Sequence, residues 1–216
     1  MRKQVIDTIE KEKLIVIVRG VEKEKLLSLC EAMYQGGIRL LEITYDASGK
    51  VTSEETAENI RMLADAFVGR MYIGAGTVLT EAQVELTKNA GGSFIISPNT
   101  KEAVIKKTVE LDMASMPGAL TPTEIEAAHE YGADFVKLFP ITNFGPDYVK
   151  AVKAPLSHIK LTAVGGINEE NIPVYLKAGV SGFGIGTNIV NKKLIEQEDW
   201  AAITALAKRY VAATEA

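Results

Sequence analysis

Lys137 and Glu42 are the two residues whose surroundings are hardest to explain without chemistry. Lys137 stands in Phe135-Val136-Lys137-Leu138-Phe139-Pro140, an almost wholly apolar run of strand type. A strand covered on both faces reads as such a continuous hydrophobic stretch, and lysine is nearly always excluded from it. Burial disfavours the ammonium, so the pKa falls and a neutral, nucleophilic amine becomes accessible, as an imine-forming lysine requires. Glu42 interrupts Leu40-Leu41-Glu42-Ile43-Thr44 in the same way. A carboxylate and a lysine in one dry cavity make a proton shuttle beside a nucleophile. Each also has a structural reading. Lys137 would snorkel from a strand end or sit in an ion pair, and Glu42 would form a plain salt bridge with Lys137 or Arg19.

Other polar residues collect at the ends of apolar runs. Arg19 follows Ile15-Val16-Ile17-Val18 and is placed to fork onto a carboxylate or a phosphate. Thr77 closes Gly74-Ala75-Gly76-Thr77, where the glycines are expected to let a ligand approach the backbone. Ser97-Pro98-Asn99 and Met116-Pro117-Gly118 put prolines at matching positions of a rim. Gly165-Gly166 and Gly184-Ile185-Gly186-Thr187-Asn188 follow the last two apolar runs, and backbone N–H groups in such loops commonly hold phosphate. Loop closure alone would also use glycine there. No metal is expected: His129 and His158 lack ligand-type spacing to another imidazole or thiol. A divalent ion held by Glu42 and Asp46 is the weaker alternative.

The elements that position these residues alternate along the whole chain. Strand candidates are Leu14–Arg19, Arg39–Thr44, Met71–Thr77, Ser93–Ser97, Met113–Pro117, Asp134–Pro140, Ile159–Val164 and Gly182–Gly186. Between them run amphipathic segments such as Glu22–Gln35, Ser53–Phe67, Glu81–Asn89 and Thr123–Tyr131. Repeated strand–helix units indicate a parallel sheet closed into a (β/α)8 TIM barrel, with an open doubly wound sheet as the alternative. Glycines recur at Gly36-Gly37, Gly91-Gly92, Gly132 and Gly179, each ending a helix before an even-numbered strand. Left-handed caps are expected there. Thr121-Pro122-Thr123-Glu124 reads as a helix start. Residues 2–11 are expected to form an extra N-terminal helix across the barrel floor. No linker interrupts the pattern, so residues 1–216 read as one domain.

Composition excludes several classes. The chain has 216 residues, 47% of them hydrophobic and 24% charged, with a net charge of −4. That balance offers no footprint for nucleic acid, and no apolar run is long enough for a membrane span. The N-terminus lacks the apolar core of a signal peptide. Cys30 is alone among Leu26, Leu27, Leu29 and Met33, so a buried thiol on a helix and a cytoplasmic setting are expected.

With these residues in place, the chain resembles the KDPG/KHG aldolase family from end to end. The resemblance rests on Leu41-Glu42-Ile43-Thr44, Gly74-Ala75-Gly76-Thr77-Val78, Ile96-Ser97-Pro98, Pro117-Gly118, Val136-Lys137-Leu138-Phe139-Pro140 and Gly165-Gly166-Ile167. It implies a class I, metal-independent aldolase without a separate cofactor, on a (β/α)8 barrel assembled as a homotrimer. By the resemblance Lys137 is the imine lysine and Glu42 the general acid/base. Thr77, Pro98 and Phe139 would line the pyruvate end, and Gly165, Gly166 and Thr187 would match the phosphate positions, Thr187 replacing a common serine. Two departures stand out. Tyr45-Asp46 occupies the place where many members carry an arginine for the substrate carboxylate, and Ala163-Val164 replaces a common Pro-Thr.

The expected reaction is reversible cleavage of a 2-keto-3-deoxy sugar acid to pyruvate and an aldehyde. The substrates implied are 2-dehydro-3-deoxy-6-phosphogluconate and 4-hydroxy-2-oxoglutarate. Two rival readings remain at this point. One is a phosphate-binding barrel that isomerises or epimerises a phosphosugar without an imine, and the other a catalytically silent ligand-binding barrel.

Overall fold

The computed structural model describes residues 1–215. Its strands are β1 (Leu14–Val18), β2 (Leu40–Thr44), β3 (Tyr72–Gly76), β4 (Phe94–Ile96), β5 (Ala114–Met116), β6 (Gly118–Ala119), β7 (Val136–Leu138), β8 (Leu161–Val164) and β9 (Gly182–Ile185). The helices are α1 (Arg2–Glu12), α2 (Lys23–Gln35), α3 (Ser53–Ala66), α4 (Glu81–Asn89), α5 (Glu102–Glu110), α6 (Pro122–Glu130), α7 (Gly145–Lys153), α8 (Ile172–Ala178), α9 (Lys192–Glu196) and α10 (Trp200–Ala213).

All neighbouring strands pair in parallel, in the order β5-β4-β3-β2-β1-β9-β8-β7-β6. The two ends of that order, β5 and β6, are consecutive pieces of chain flanking Pro117. They are one strand broken where proline lacks an N–H for the ladder. The sheet is therefore the expected (β/α)8 barrel, its fifth strand split at the rim and running on to Ala119 rather than ending at Pro117. Beside the break, a Cβ on Gly118 would lie 2.4 Å from the Pro98 carbonyl carbon, so only glycine lets the two rim segments meet.

Local chemistry explains the joints. Thr121 accepts from the Glu124 N–H and Glu124 reaches back to the cap, a capping box with Pro122 in the first turn. The expected left-handed caps occur at Gly37, Gly91, Gly132 and Gly179. After β9 the short α9 leads to α10, which packs on α2 so closely that a Cβ on Gly36 would fall 2.3 Å from that of Ala207.

Two apolar layers result. The outer one lies between strands and helices and includes Cys30, which is fully buried as expected. The inner one fills the lower barrel with Ile15, Leu40, Phe94, Ile96, Ala114, Met116 and Phe135. The expected floor helix is α1, and its Val5 and Ile9, both fully buried, close this layer from below. Above it the interior turns polar. Among the described residues, no helix is long and apolar enough to cross a membrane.

Candidate active site

Sheet register places the chemistry. Glu42 pairs with Ile17 on β1 and Gly74 on β3, while Lys137 pairs with Gly118 on β6 and Thr162 on β8. Residues in register on adjacent parallel strands share a face. Leu40 and Phe135, two residues below, belong to the inner layer, so Glu42 and Lys137 both point into the barrel. Glu42 is 1% exposed and Lys137 7% exposed. A lysine snorkelling into water does not fit that burial.

Gly76 explains how the carboxylate fits. A Cβ there would lie 1.6 Å from Glu42 Oε1, and a Cβ on Gly74 would strike the Phe94 ring at 2.4 Å. The glycines of β3 thus make room for neighbouring side chains, which corrects the expectation that they admit a ligand. Among the described residues, no ion pair joins Glu42 to Lys137 or Arg19, and Glu42 Oε2 has no hydrogen-bond partner. The plain salt bridge is absent.

Electrostatics follow from burial. Desolvation lifts the Glu42 carboxyl above the usual carboxylate range, against the opposing pull of the Lys137 and Arg19 charges. Desolvation also lowers the Lys137 ammonium; Glu42 resists this and Arg19 reinforces it. Both shifts drive towards neutral forms, a carboxylic acid that can give a proton and an amine that can attack. Lys137 Nζ lies 4.6 Å from the centre of the Phe139 ring.

Around this pair the rim brings together most of the expected residues. Arg19, exposed beyond β1, donates through Nη2 to Thr77 Oγ1 at 3.0 Å. Thr77 holds a left-handed backbone, φ 56°, unusual for a β-branched residue and of the kind that clusters at functional sites. Arg19 and Thr187 also share a cleft of about 190 Å³ beside the end of β9. Gly165 and Gly166 follow β8 with φ of 105° and 71°. A Cβ on Gly165 would come within 2.9 Å of Thr142 Oγ1, so the β7–α7 loop covers the glycine pair. Gly186 accepts from the Ile189 and Val190 N–H groups in the turn carrying Thr187. Pro98 stands against Gly118 on the opposite rim.

Asp46 lines a cleft with Arg19, but its carboxylate is engaged by its own loop. Its carboxylate accepts from Ser48 Oγ and from the N–H groups of Ser48, Lys50 and Val51, which hold it at a pKa of about 2. The Glu42/Asp46 metal alternative therefore loses one of its ligands to a loop. Among the described residues, no group of three or more His, Cys, Asp or Glu side chains could hold a metal. The fold does bring His129 and His158 together, ring centres 5.1 Å apart, a pairing that their sequence separation hides. Sequence reasoning missed Thr162 and Thr142. The period-two rule applied to Leu161-Thr162-Ala163-Val164 contains the signal for Thr162; nothing in the sequence marks Thr142.

Comparison with known proteins bears on this geometry. A family model described as KDPG and KHG aldolase matches residues 5–206. The 2-dehydro-3-deoxy-6-phosphogalactonate aldolase of Escherichia coli is 37% identical over 177 residues, covering 82% of this chain and 83% of its own. The 2-dehydro-3-deoxy-phosphogluconate aldolase of Haemophilus influenzae is 31% identical, covering 96% of this chain and 95% of its own. Among solved structures, the KDPG aldolase of Legionella pneumophila with pyruvate captured at low pH as a covalent carbinolamine superposes with a TM-score of 0.83. It is 28% identical and covers 94% of this chain and 96% of its own.

Proposed function

The chain belongs to the family of KDPG and KHG aldolases, and from that premise we propose that Lys137 is its imine-forming lysine and Glu42 its proton shuttle. The observation that carries the reading is a lysine and a glutamate, both buried, facing one interior and both biased towards neutrality by desolvation. Neutral Lys137 adds to the C2 carbonyl of a 2-keto acid, giving a carbinolamine that loses water to a protonated imine. The imine accepts the electrons of the C3–C4 bond as the C4 hydroxyl gives up its proton, releasing the aldehyde and leaving an enamine. Glu42 moves protons in carbinolamine formation, C–C cleavage and enamine protonation. An isomerase or a silent binding barrel has no use for the embedded lysine.

Thr77, Pro98 and Phe139 form the pyruvate end in this reading, with Arg19 on the carboxylate in place of the arginine that Tyr45-Asp46 lacks. Gly165, Gly166, Gly186 and Thr187 hold the substrate phosphate through backbone and hydroxyl donors. The substrate is a 2-keto-3-deoxy acid, with the 6-phosphogluconate derivative and 4-hydroxy-2-oxoglutarate as first candidates. A relative named for the phosphogalactonate compound makes that C4 epimer of the phosphogluconate derivative the compound to assay beside them. The family resemblance supports a cytoplasmic homotrimer, which light scattering would test.

Sodium borohydride with pyruvate tests the chemistry. Reduction freezes the imine, and peptide mass mapping is expected to find the adduct on Lys137. Modification elsewhere, or none, would overturn the mechanism. Activity is expected to persist in EDTA; loss restored by a divalent ion would instead revive a metal reading.

A further inference from the structure

Thr162 is 1% exposed, and among the described residues its Oγ1 has no hydrogen-bond partner. Leaving a buried hydroxyl unpaired is costly, and valine would fill the same space without that cost. Its place in the barrel is informative. On one side it stands in register with Lys137, about 4.8 Å away across the sheet. On the other it stands in register with Gly182, which supplies no side chain to pair with the hydroxyl. Val164, next on the same face of β8, contacts the place where Gly184 would carry a Cβ, within 2.8 Å, so this face is the interior one. Thr162 thus lies beside Lys137 on the inward face of β8, and Glu42 Oε2 is a second inward polar atom without a partner among the described residues.

We propose that Thr162 is a positioning residue for Lys137, its hydroxyl accepting a hydrogen bond from Nζ through one bridging water. This rests on the imine reading above. The bond would point the amine at the incoming carbonyl and restrain a side chain that otherwise has four rotatable bonds. The charged groups acting on Lys137 are Glu42 on β2 and Arg19 beyond β1; β8 and β6 contribute no charge beside it. Accepting from Nζ favours its protonated form, so losing the hydroxyl should depress the lysine further.

The test uses Thr162→Val, which removes the hydroxyl at nearly constant volume, and Thr162→Ser, which keeps it. In Thr162→Val, borohydride trapping with pyruvate is expected to slow about tenfold, the scale of one hydrogen bond to a charged group. The acid limb of kcat/KM should move to lower pH, and Thr162→Ser should restore both. Wild-type rates and an unmoved limb in a folded Thr162→Val would overturn the proposal while leaving the imine mechanism intact. Equal loss in Thr162→Ser would overturn it too, by assigning the effect to the packing shape at this position rather than to the hydroxyl. Wild-type protein that does not trap pyruvate would overturn both readings together.

Discussion

Phe135 and Lys137 stand two residues apart on one face of one run of chain, yet they belong to different halves of the barrel interior. The same step separates Leu40 from Glu42 on β2. Below the step, Phe135, Leu40, Ile15 and Phe94 meet the buried Val5 and Ile9 of α1 and form an apolar plug. Above it, Glu42 Oε2 and Thr162 Oγ1 are buried without partners among the described residues, and Lys137 is almost as deep. Each unpaired buried polar atom costs about 1–3 kcal/mol. The comparison teaches that the barrel gives up stability around the proposed site and recovers it one layer lower.

The sharpest way to break that comparison is to make the upper layer resemble the lower one. Lys137→Met combined with Glu42→Leu should abolish turnover completely. Replacing two buried polar groups by apolar residues of similar shape is nearly neutral or stabilising, so urea denaturation should show no loss of stability. A double variant that is markedly less stable would mean that the upper layer also holds the fold together.

Glu42→Gln is gentler. It keeps the shape beside Gly76 but removes proton transfer, and turnover should fall by about 10²–10⁴ while some imine formation remains. Stability should respond to pH as well. Burial raises the folded-state pKa of Glu42, so its contribution is present below the ordinary carboxylate value of 4.5 and is lost as pH rises through the raised one. The wild type should therefore lose stability relative to Glu42→Gln as pH climbs above that ordinary value. Parallel stability curves would show that burial does not perturb this carboxylate.

How much of this was legible beforehand depends on which physics each feature uses. Period-two and period-three-to-four patterns carry through to strands and helices, so the barrel, the floor helix and the inward Lys137 and Glu42 were readable. The break at Pro117 was not, because a single proline marks a strand end as readily as a strand interruption. Gly74 and Gly76 were misread since sequence shows a missing side chain but not which neighbour fills the space. Asp46 was misplaced for a similar reason. Its position after β2 suggests the site, while its hydrogen bonds to residues 48, 50 and 51 turn it away. Thr162 was passed over because threonine in a strand is ordinary until its hydroxyl is seen to lack a partner.

Ile9→Ala probes the lower layer. Truncating a fully buried isoleucine in a plug closed on all sides should destabilise the protein by about 2–5 kcal/mol, the range for large-to-small core changes. Because Ile9 packs on the apolar layer and not on Lys137 or Glu42, kcat/KM at a temperature where the variant is folded should stay within about twofold. A large kinetic loss without a stability loss would mean that the two halves are mechanically coupled, and the division drawn above would fail.

Among the residues of the proposed site, the smallest effect is expected at the rim. Arg19 is a rim cation near the place where Tyr45-Asp46 stands instead of the family arginine, and it stands between Thr77, to which it donates at 3.0 Å, and the cleft shared with Thr187. Unlike Lys137 it is exposed, so its charge is screened and its loss should be modest. Arg19→Ala should reduce kcat/KM by about ten- to a hundredfold, the scale of hydrogen bonds to a charged group. If Arg19 holds the carboxylate, exchange of pyruvate methyl protons with deuterated water should fall by the same factor as cleavage of a phosphorylated substrate. If it serves the phosphate, pyruvate exchange should stay normal and the preference for phosphorylated over unphosphorylated substrates should shrink. There is also a consequence for Lys137. Arg19 lowers the lysine pKa through its charge, so its removal should move the acid limb of pyruvate exchange to higher pH. A variant with normal rates and an unmoved limb would separate the rim from the buried pair and leave the substrate carboxylate to be held by other donors.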